Sequence, residues 1–104
     1  MDRTQLSQLV VFQTVAEAGG FRAAAERLGI APSAVSHAVS ALEESLGVRL
    51  LARTTRSTRP TEEGIRLLSR VTAPLTEIAS GLAETGKNPD EPGGPLRITL
   101  PLLA

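Results

Sequence analysis

Apolar residues in the first half of the chain recur three and four positions apart, which is the period of an amphipathic helix. This pattern predicts three helices, over roughly residues 3–18, 21–28 and 32–46. Glycine follows each of them, and glycine ends helices readily because it adopts positive φ at little cost. The glycines concerned are Gly19, Gly20, Gly29 and Gly47. We therefore expect a cluster of three helices joined by tight turns.

The third predicted helix has two different faces. An apolar stripe that steps by four, three and four residues predicts contact with the core, and it consists of Val35, Val39, Leu42 and Leu46. The helix turns about 100° per residue, so the opposite face is polar. That face carries Ser33, His37, Ser40 and Glu44, with Ser36 on the flank. Pro32 suits the first helical position, since its missing N–H would have no intrahelical partner there.

The segment after the third helix is rich in Val and Thr, which favours extended structure. We interpret residues 48–53 and 54–59 as two short strands joined by a polar turn. A long helix is predicted to start at Pro60–Thr61, where the threonine can cap the first turn, and to end near Gly86. Pro74 lies inside this helix and should kink it or loosen one turn.

The long helix carries an apolar seam with the three-and-four spacing of a coiled coil, which predicts pairing with a second copy. The seam consists of Leu68, Val71, Leu75, Ile78 and Leu82. An intramolecular core is the less favoured interpretation, because the preceding helices have a core of their own. Turn-forming and charged residues then predict a hinge at 86–95, followed by a strand at 96–100. We divide the chain into residues 1–60, 61–86 and 87–104.

Composition limits the classes of function. Hydrophobic residues make up 41% of the 104 residues, an ordinary value for a folded domain, and no cysteine is present to form disulfides, nucleophiles or metal sites. No apolar run approaches the roughly 18 residues of a membrane span, and no signal peptide is recognisable, so we expect a cytoplasmic protein without a membrane partner. We recognise no phosphate-binding loop, catalytic constellation or metal-ligand cluster, and therefore expect no enzyme activity and no catalytic or metal site.

The formal net charge is zero, but arginine is concentrated in one short segment. Four arginines, Arg49, Arg53, Arg56 and Arg59, lie within eleven residues that hold no acid. Such a cluster suits a phosphate-rich partner. A solvated basic loop would have the same composition, so charge alone leaves both interpretations open.

Residues 21–40 have the pattern of a helix-turn-helix, with a small Ala25 where the two helices touch and Gly29 in the turn. The wider pattern resembles the N-terminal domain of LysR-type transcriptional regulators over roughly residues 4–86. The resemblance is carried by Leu6, Phe12, Val15, Ala16, Glu17, Gly19, Phe21, Ala24, Ala25, Leu28, Ser33, Ala34, Val35, Ser36, Leu42, Glu43, Leu46, Gly47, Val48, Leu50, Arg53, Arg56, Thr61 and Gly64. Arg22 and Ala31 depart from it, since that family often has hydroxyl residues at both positions.

The resemblance implies a mainly α winged helix-turn-helix, with a three-helix core and a small β-wing at about 48–60, followed by a dimerising linker helix. It implies that a homodimer binds double-stranded DNA at a roughly palindromic site, with the helix at 32–46 in the major groove. The implied DNA-contacting residues are Arg22, Pro32, Ser33, Ser36, His37, Ser40, Arg53, Thr54 and Arg56. Pairing with Glu43 or Glu44 is the alternative for Arg53.

The resemblance further implies that a small-molecule effector binds a C-terminal domain outside this chain, of which residues 96–100 resemble the first strand. We expect no cofactor in the present part, and a nucleoid-associated location in the cytoplasm. Two alternative functions stay open. One is a dimerising interaction module, and the other is the DNA-binding domain of a molybdate-responsive regulator.

Overall fold

Within residues 1–54 and 57–86, which the computed structural model describes, four helices and a two-stranded sheet follow one another. The elements are α1 (Arg3–Ala18), α2 (Phe21–Leu28), α3 (Pro32–Leu46), β1 (Leu51–Arg53), β2 (Thr58–Pro60) and α4 (Glu62–Thr85). The predicted fold class, a mainly α winged helix-turn-helix followed by a long helix, is confirmed. The hinge and the strand predicted after Gly86 lie outside the described residues.

Local chemistry explains where the first three helices end. Gly19, Gly29 and Gly47 follow α1, α2 and α3 with φ values of 85°, 70° and 76°, a left-handed conformation that residues with a Cβ rarely adopt. Each of these glycines donates its backbone N–H to a carbonyl of the preceding turn. At the start of α1, Asp2 Oδ1 accepts the backbone N–H of Gln5 at 2.8 Å. The three predicted helix boundaries are confirmed.

The hydrophobic core is formed by side chains from α1, α2 and α3 and from the segment that enters β1. Its buried members are Val11, Phe12, Val15, Ala24, Ala25, Val35, Val39, Leu42, Leu50 and Leu51. Phe12 is fully buried and is one of the largest of these side chains. Ala24 and Ala25 are small, which allows α2 to pack closely against its neighbours. Because α2 and α3 both bury their inner faces, the angle between them is set by the core.

Some large apolar residues are exposed in the structure, and one of them, Leu46, belongs to the stripe that the spacing assigned to the inner face of α3. Leu46, Ile30 and Leu6 expose 43%, 41% and 36% of their surface. The prediction that the α3 stripe points inward over its whole length is therefore wrong at Leu46. This residue is the last of α3, where it lines a shallow apolar groove with Leu9 and Leu67. Periodicity gives a direction around the helix axis, but it does not tell where along the axis the neighbouring elements end.

The predicted wing is present, but its strands are shorter than expected. β1 and β2 pair antiparallel, with Leu51 opposite Pro60 and Arg53 opposite Thr58. Pro60 therefore belongs to β2, and the prediction that the long helix starts at Pro60 is wrong. A proline can occupy an edge strand because its missing N–H is not required for pairing there. Residues 55–56, which come between the two strands in sequence, lie outside the described part of the chain.

Thr61 connects the wing to the first turn of α4. Its Oγ1 accepts the backbone N–H of Gly64 at 3.1 Å, as predicted for a capping threonine, and donates to the carbonyl of Arg49 at 2.6 Å. Its backbone N–H donates to the carbonyl of Leu50 at 2.9 Å. Gly64 is buried, and a Cβ placed on it would overlap with the carbonyl oxygen of Leu50. The start of α4 therefore lies directly against the backbone that leads into β1.

By its internal contacts the chain divides into two units, Met1–Thr72 and Ala73–Ala104. The first unit holds the core and the wing. The second, as far as Gly86, consists of the remainder of α4, which contains Pro74 and stays helical through it. The division into functional segments at residues 60 and 86 stays a prediction. None of the helices in the described ranges is both long and apolar enough to cross a membrane.

The position of Gly64 yields a stability prediction. We expect Gly64→Ala to lower the free energy of unfolding by about 2 kcal/mol, since the new Cβ forces the backbone at Leu50 and the first turn of α4 apart. Gly81→Ala is the control, because nothing lies within 4 Å of a Cβ at that position of the same helix. Urea denaturation of both variants measures the difference. Equal stability of Gly64→Ala and the unsubstituted chain would contradict the close approach.

Candidate nucleic-acid interface

The N-terminal half of α3 presents the polar face that the sequence predicted. Val35 and Val39 are fully buried on the inner side. Pro32, Ser33, His37 and Ser40 are exposed, and Ser36 is half-buried. The structure therefore places the predicted contact residues of α3 together on its outer surface.

Neither α2 nor α3 begins with a capping side chain. Ala31 is the N-cap residue of α3 and Gly20 that of α2, and neither provides a side-chain hydrogen bond to the helix. The N-terminus of a helix carries a partial positive charge and N–H groups that can bind phosphate. Arg22 lies exposed in the first turn of α2, where a cation adds to this charge. These features favour an anionic partner at the N-terminus of each of the two helices.

Glu43 has a structural role that the sequence did not predict. Its side chain is 8% exposed, and its Oε2 accepts the backbone N–H groups of Leu50 at 2.8 Å and Leu51 at 3.1 Å. The carboxylate thereby holds the segment entering β1 against α3. One signal was present in the sequence: an acid near the C-terminal end of a helix is unfavourable with the helix dipole unless it has a partner elsewhere.

Two arginines of the basic segment face the Glu43 carboxylate. Arg49 Nε lies 3.7 Å from Oε2, and its side chain is 69% exposed. Arg53 Nη2 lies 3.7 Å from Oε1, and its side chain is 30% exposed. The Arg53 Cζ also lies 4.7 Å from the centroid of the Phe21 ring. Of the two interpretations that the sequence left open for Arg53, the structure shows the pair with Glu43.

Thr54 and Ser57 form hydrogen bonds with each other at the end of the hairpin. The backbone N–H of Thr54 donates to the Ser57 carbonyl at 2.9 Å, and the Ser57 N–H donates to Thr54 Oγ1 at 3.0 Å. Arg59 is exposed on β2. Arg56, a predicted contact residue, lies outside the described residues, so its assignment stays a prediction.

The predicted seam of α4 differs along its length. Leu68, in the first unit, is half-buried and packs against the chain's own core, so this end of the seam already has an intramolecular partner. Val71 and Leu75 are half-buried. Ile78 and Leu82 expose 55% and 71% of their surface. The exposed part of the seam therefore lies toward the C-terminal end of the helix.

Comparison with known proteins places these features in one family. The sequence profile of bacterial regulatory helix-turn-helix proteins of the lysR family matches residues 6–65, more than half of the chain. The HTH-type transcriptional regulator PgrR of Escherichia coli is 46% identical over 99 residues, which are 95% of this chain and 33% of PgrR. The chain thus spans about a third of the length of the curated relatives it matches.

Solved structures show the same similarity. The full-length structure of AphB, a Vibrio cholerae virulence activator, is 32% identical with a TM-score of 0.73, over 76% of this chain and 27% of AphB. The DNA-binding domain of BenM, solved in complex with the catB site 1 DNA, is 30% identical with a TM-score of 0.70. That match covers 88% of this chain and 98% of the BenM domain.

The environment of Glu43 yields a second stability prediction. We expect Glu43→Ala to lower the free energy of unfolding by about 2–4 kcal/mol, because it leaves the N–H groups of Leu50 and Leu51 without their acceptor. Glu44→Ala is the matched control, since Glu44 is the exposed neighbouring acid on the same helix. Thermal and urea unfolding measure both. If the two substitutions cost the same, the Glu43 carboxylate does not hold the wing.

Proposed function

The chain belongs to the LysR family of bacterial regulatory helix-turn-helix proteins, and from this premise we propose that it is the DNA-binding part of a transcriptional regulator. In this proposal α3 enters the major groove, whose width accommodates one helix. The observation that carries the proposal is the outer face of α3, whose serine and histidine side chains project from a helix with a buried inner face. The similarity to the BenM domain bound to DNA supports it.

We assign the contacts according to where the side chains lie. Ser33, Ser36, His37 and Ser40 are the candidates for base edges and nearby phosphates. Arg22 and Pro32 lie at the N-termini of α2 and α3, where we propose that the DNA backbone runs. Thr54 and Arg56 in the wing are assigned to phosphates or the minor groove. Arg53 was assigned with them from the sequence, and its pairing with Glu43 gives it a different role below.

We propose that the protein acts as a homodimer through α4. Ile78 and Leu82 are large, exposed and separated by one turn, and they continue the spacing of Leu75. A two-fold axis between two copies would present two α3 helices to successive major grooves of a roughly palindromic site. Leu68 contributes to the seam beside its contact with the chain's own core.

The relatives are transcriptional regulators, and we propose no catalytic function and no cofactor for this part. Binding of a small-molecule effector is proposed for the remainder of a longer protein, since the curated relatives are about three times as long as the matched segment. A cytoplasmic, nucleoid-associated location follows from the proposed partner. The alternative, a module that pairs with other regulators without binding DNA, is distinguished by the first experiment below.

Selection on sheared genomic DNA tests the proposal directly. We expect the purified chain to enrich a small number of roughly palindromic sites. The affinity should fall steeply as salt rises, because binding releases cations from the DNA phosphates and this release is less favourable at high salt. The double variant Ser36→Ala/His37→Ala should lose about fivefold or more in discrimination between an enriched site and random DNA, since base contacts are lost.

Thr4→Ala is the control for this selection. Thr4 lines a shallow groove with Ala41 and Ser45, beside the C-terminal half of α3, and is not one of the proposed contact residues. Its substitution should leave discrimination unchanged. Unaltered discrimination in the double variant would show that the recognition face lies elsewhere, and uniform weak retention of all fragments would favour the interaction module.

The seam of α4 gives a prediction about association. Leu75→Asp/Ile78→Asp should convert dimers into monomers in sedimentation velocity, because two buried charges on each helix would face their copies. Thr76→Asp/Ser80→Asp is the matched control, since it adds the same charge to exposed positions of the same turns outside the seam. A dimer that survives the seam substitutions would place the interface elsewhere.

A further inference from the structure

The guanidinium group of Arg53 touches two other elements of the candidate interface. We propose that Arg53 is a positioning residue, which fastens β1 to α2 and α3, and that it does not contact DNA phosphate. This inference rests on the proposed DNA-binding function only where it concerns affinity. Its structural part concerns the protein without DNA.

Three elements meet at this side chain. Arg53 is the last residue of β1, Phe21 is the first residue of α2, and Glu43 lies in the C-terminal part of α3. The same guanidinium has its Nη2 3.7 Å from Glu43 Oε1 and its Cζ 4.7 Å from the Phe21 ring centroid. A planar guanidinium suits this place, because its face can stack on a ring while its edge points to a carboxylate.

The Glu43 carboxylate explains why Arg53 stays in place. Oε2 accepts the N–H groups of Leu50 and Leu51, and Oε1 faces Arg53. The Glu43 side chain is 8% exposed, so its charge is poorly solvated. Moving Arg53 to a phosphate would withdraw the cation from a buried carboxylate, which is unfavourable.

Arg49 and Arg53 differ in how far their side chains are exposed to solvent and thus to a phosphate. Both approach Glu43 at 3.7 Å, but the Arg49 side chain is 69% exposed and that of Arg53 is 30% exposed. The Arg49 guanidinium is already largely solvated, so it can turn to another anion while Arg53 stays at the carboxylate. Of these two arginines, Arg49 is therefore the one whose charge is available to a phosphate, and Arg53 keeps the wing in the position from which such contacts are made.

Hydrogen exchange in the DNA-free chain tests the structural part. The amides of Leu50 and Leu51 report the bond to Glu43, and the amide of Phe12, a fully buried residue in the middle of α1, is the reference for global unfolding. Relative to that reference, Arg53→Gln and Phe21→Leu should each speed exchange of the Leu50 and Leu51 amides about two- to fivefold. The double variant should show less than the product of the two effects, since both substitutions break one contact.

Salt dependence of DNA affinity separates positioning from phosphate contact. In Arg53→Gln the affinity should fall while the slope of log affinity against log salt is unchanged. A phosphate contact would instead reduce the slope by about 0.9. Arg53→Lys keeps the charge but not the planar group, so it should resemble Arg53→Gln in exchange and affinity.

Arg59→Gln is the matched control, because Arg59 is exposed on β2 and none of the ion pairs found among the described residues includes it. It should leave the Leu50 and Leu51 amides unchanged. Unchanged exchange in Arg53→Gln, or a slope reduced by about 0.9, would overturn the positioning role. If the unsubstituted chain binds no DNA, the proposed function fails, and the exchange measurements still decide the role of Arg53.

Discussion

The buried carboxylate of Glu43 is the interaction on which the shape of the candidate interface depends. It accepts the N–H groups of Leu50 and Leu51, where the chain leaves α3 and enters the wing. A carboxylate at this depth is unfavourable unless hydrogen bonds and cations compensate its charge, and Arg53 supplies a cation on the other oxygen. The wing therefore has one favoured position against α3, because any other position would leave the carboxylate without these N–H donors and this cation.

Leu50 extends this constraint to α4. Its N–H is held by Glu43, its carbonyl accepts the N–H of Thr61, and its side chain is buried in the core. Gly64 then lies so close to the same carbonyl that a side chain there has no room. Three parts of the first unit are thus fixed through one residue. Rigid support of this kind holds the contact side chains of α3 at fixed positions relative to each other and to the wing.

The proposed contact face of α3 consists of three serines and one histidine, Ser33, Ser36, His37 and Ser40, and holds no arginine. Short side chains let the helix lie deep in a groove, but each offers few hydrogen bonds. In the proposed complex most of the affinity would come from helix N-termini and from cations such as Arg22 and Arg49, and sequence selection from a few base contacts and from DNA shape. Because the affinity and the base contacts come from different elements, the wing must hold its cations at a fixed position relative to α3.

The sequence by itself determined the element order, the helix boundaries at Gly19, Gly29 and Gly47, and the polar face of α3. Helical period and glycine's access to positive φ are local properties, so they can be read along the chain. Tertiary structure alone decided that Leu46 is exposed, that Pro60 ends a strand, and that Glu43 holds both the Leu50 backbone and Arg53. These outcomes depend on which groups meet after the chain folds back on itself, and spacing along one element carries no information about its neighbours in space.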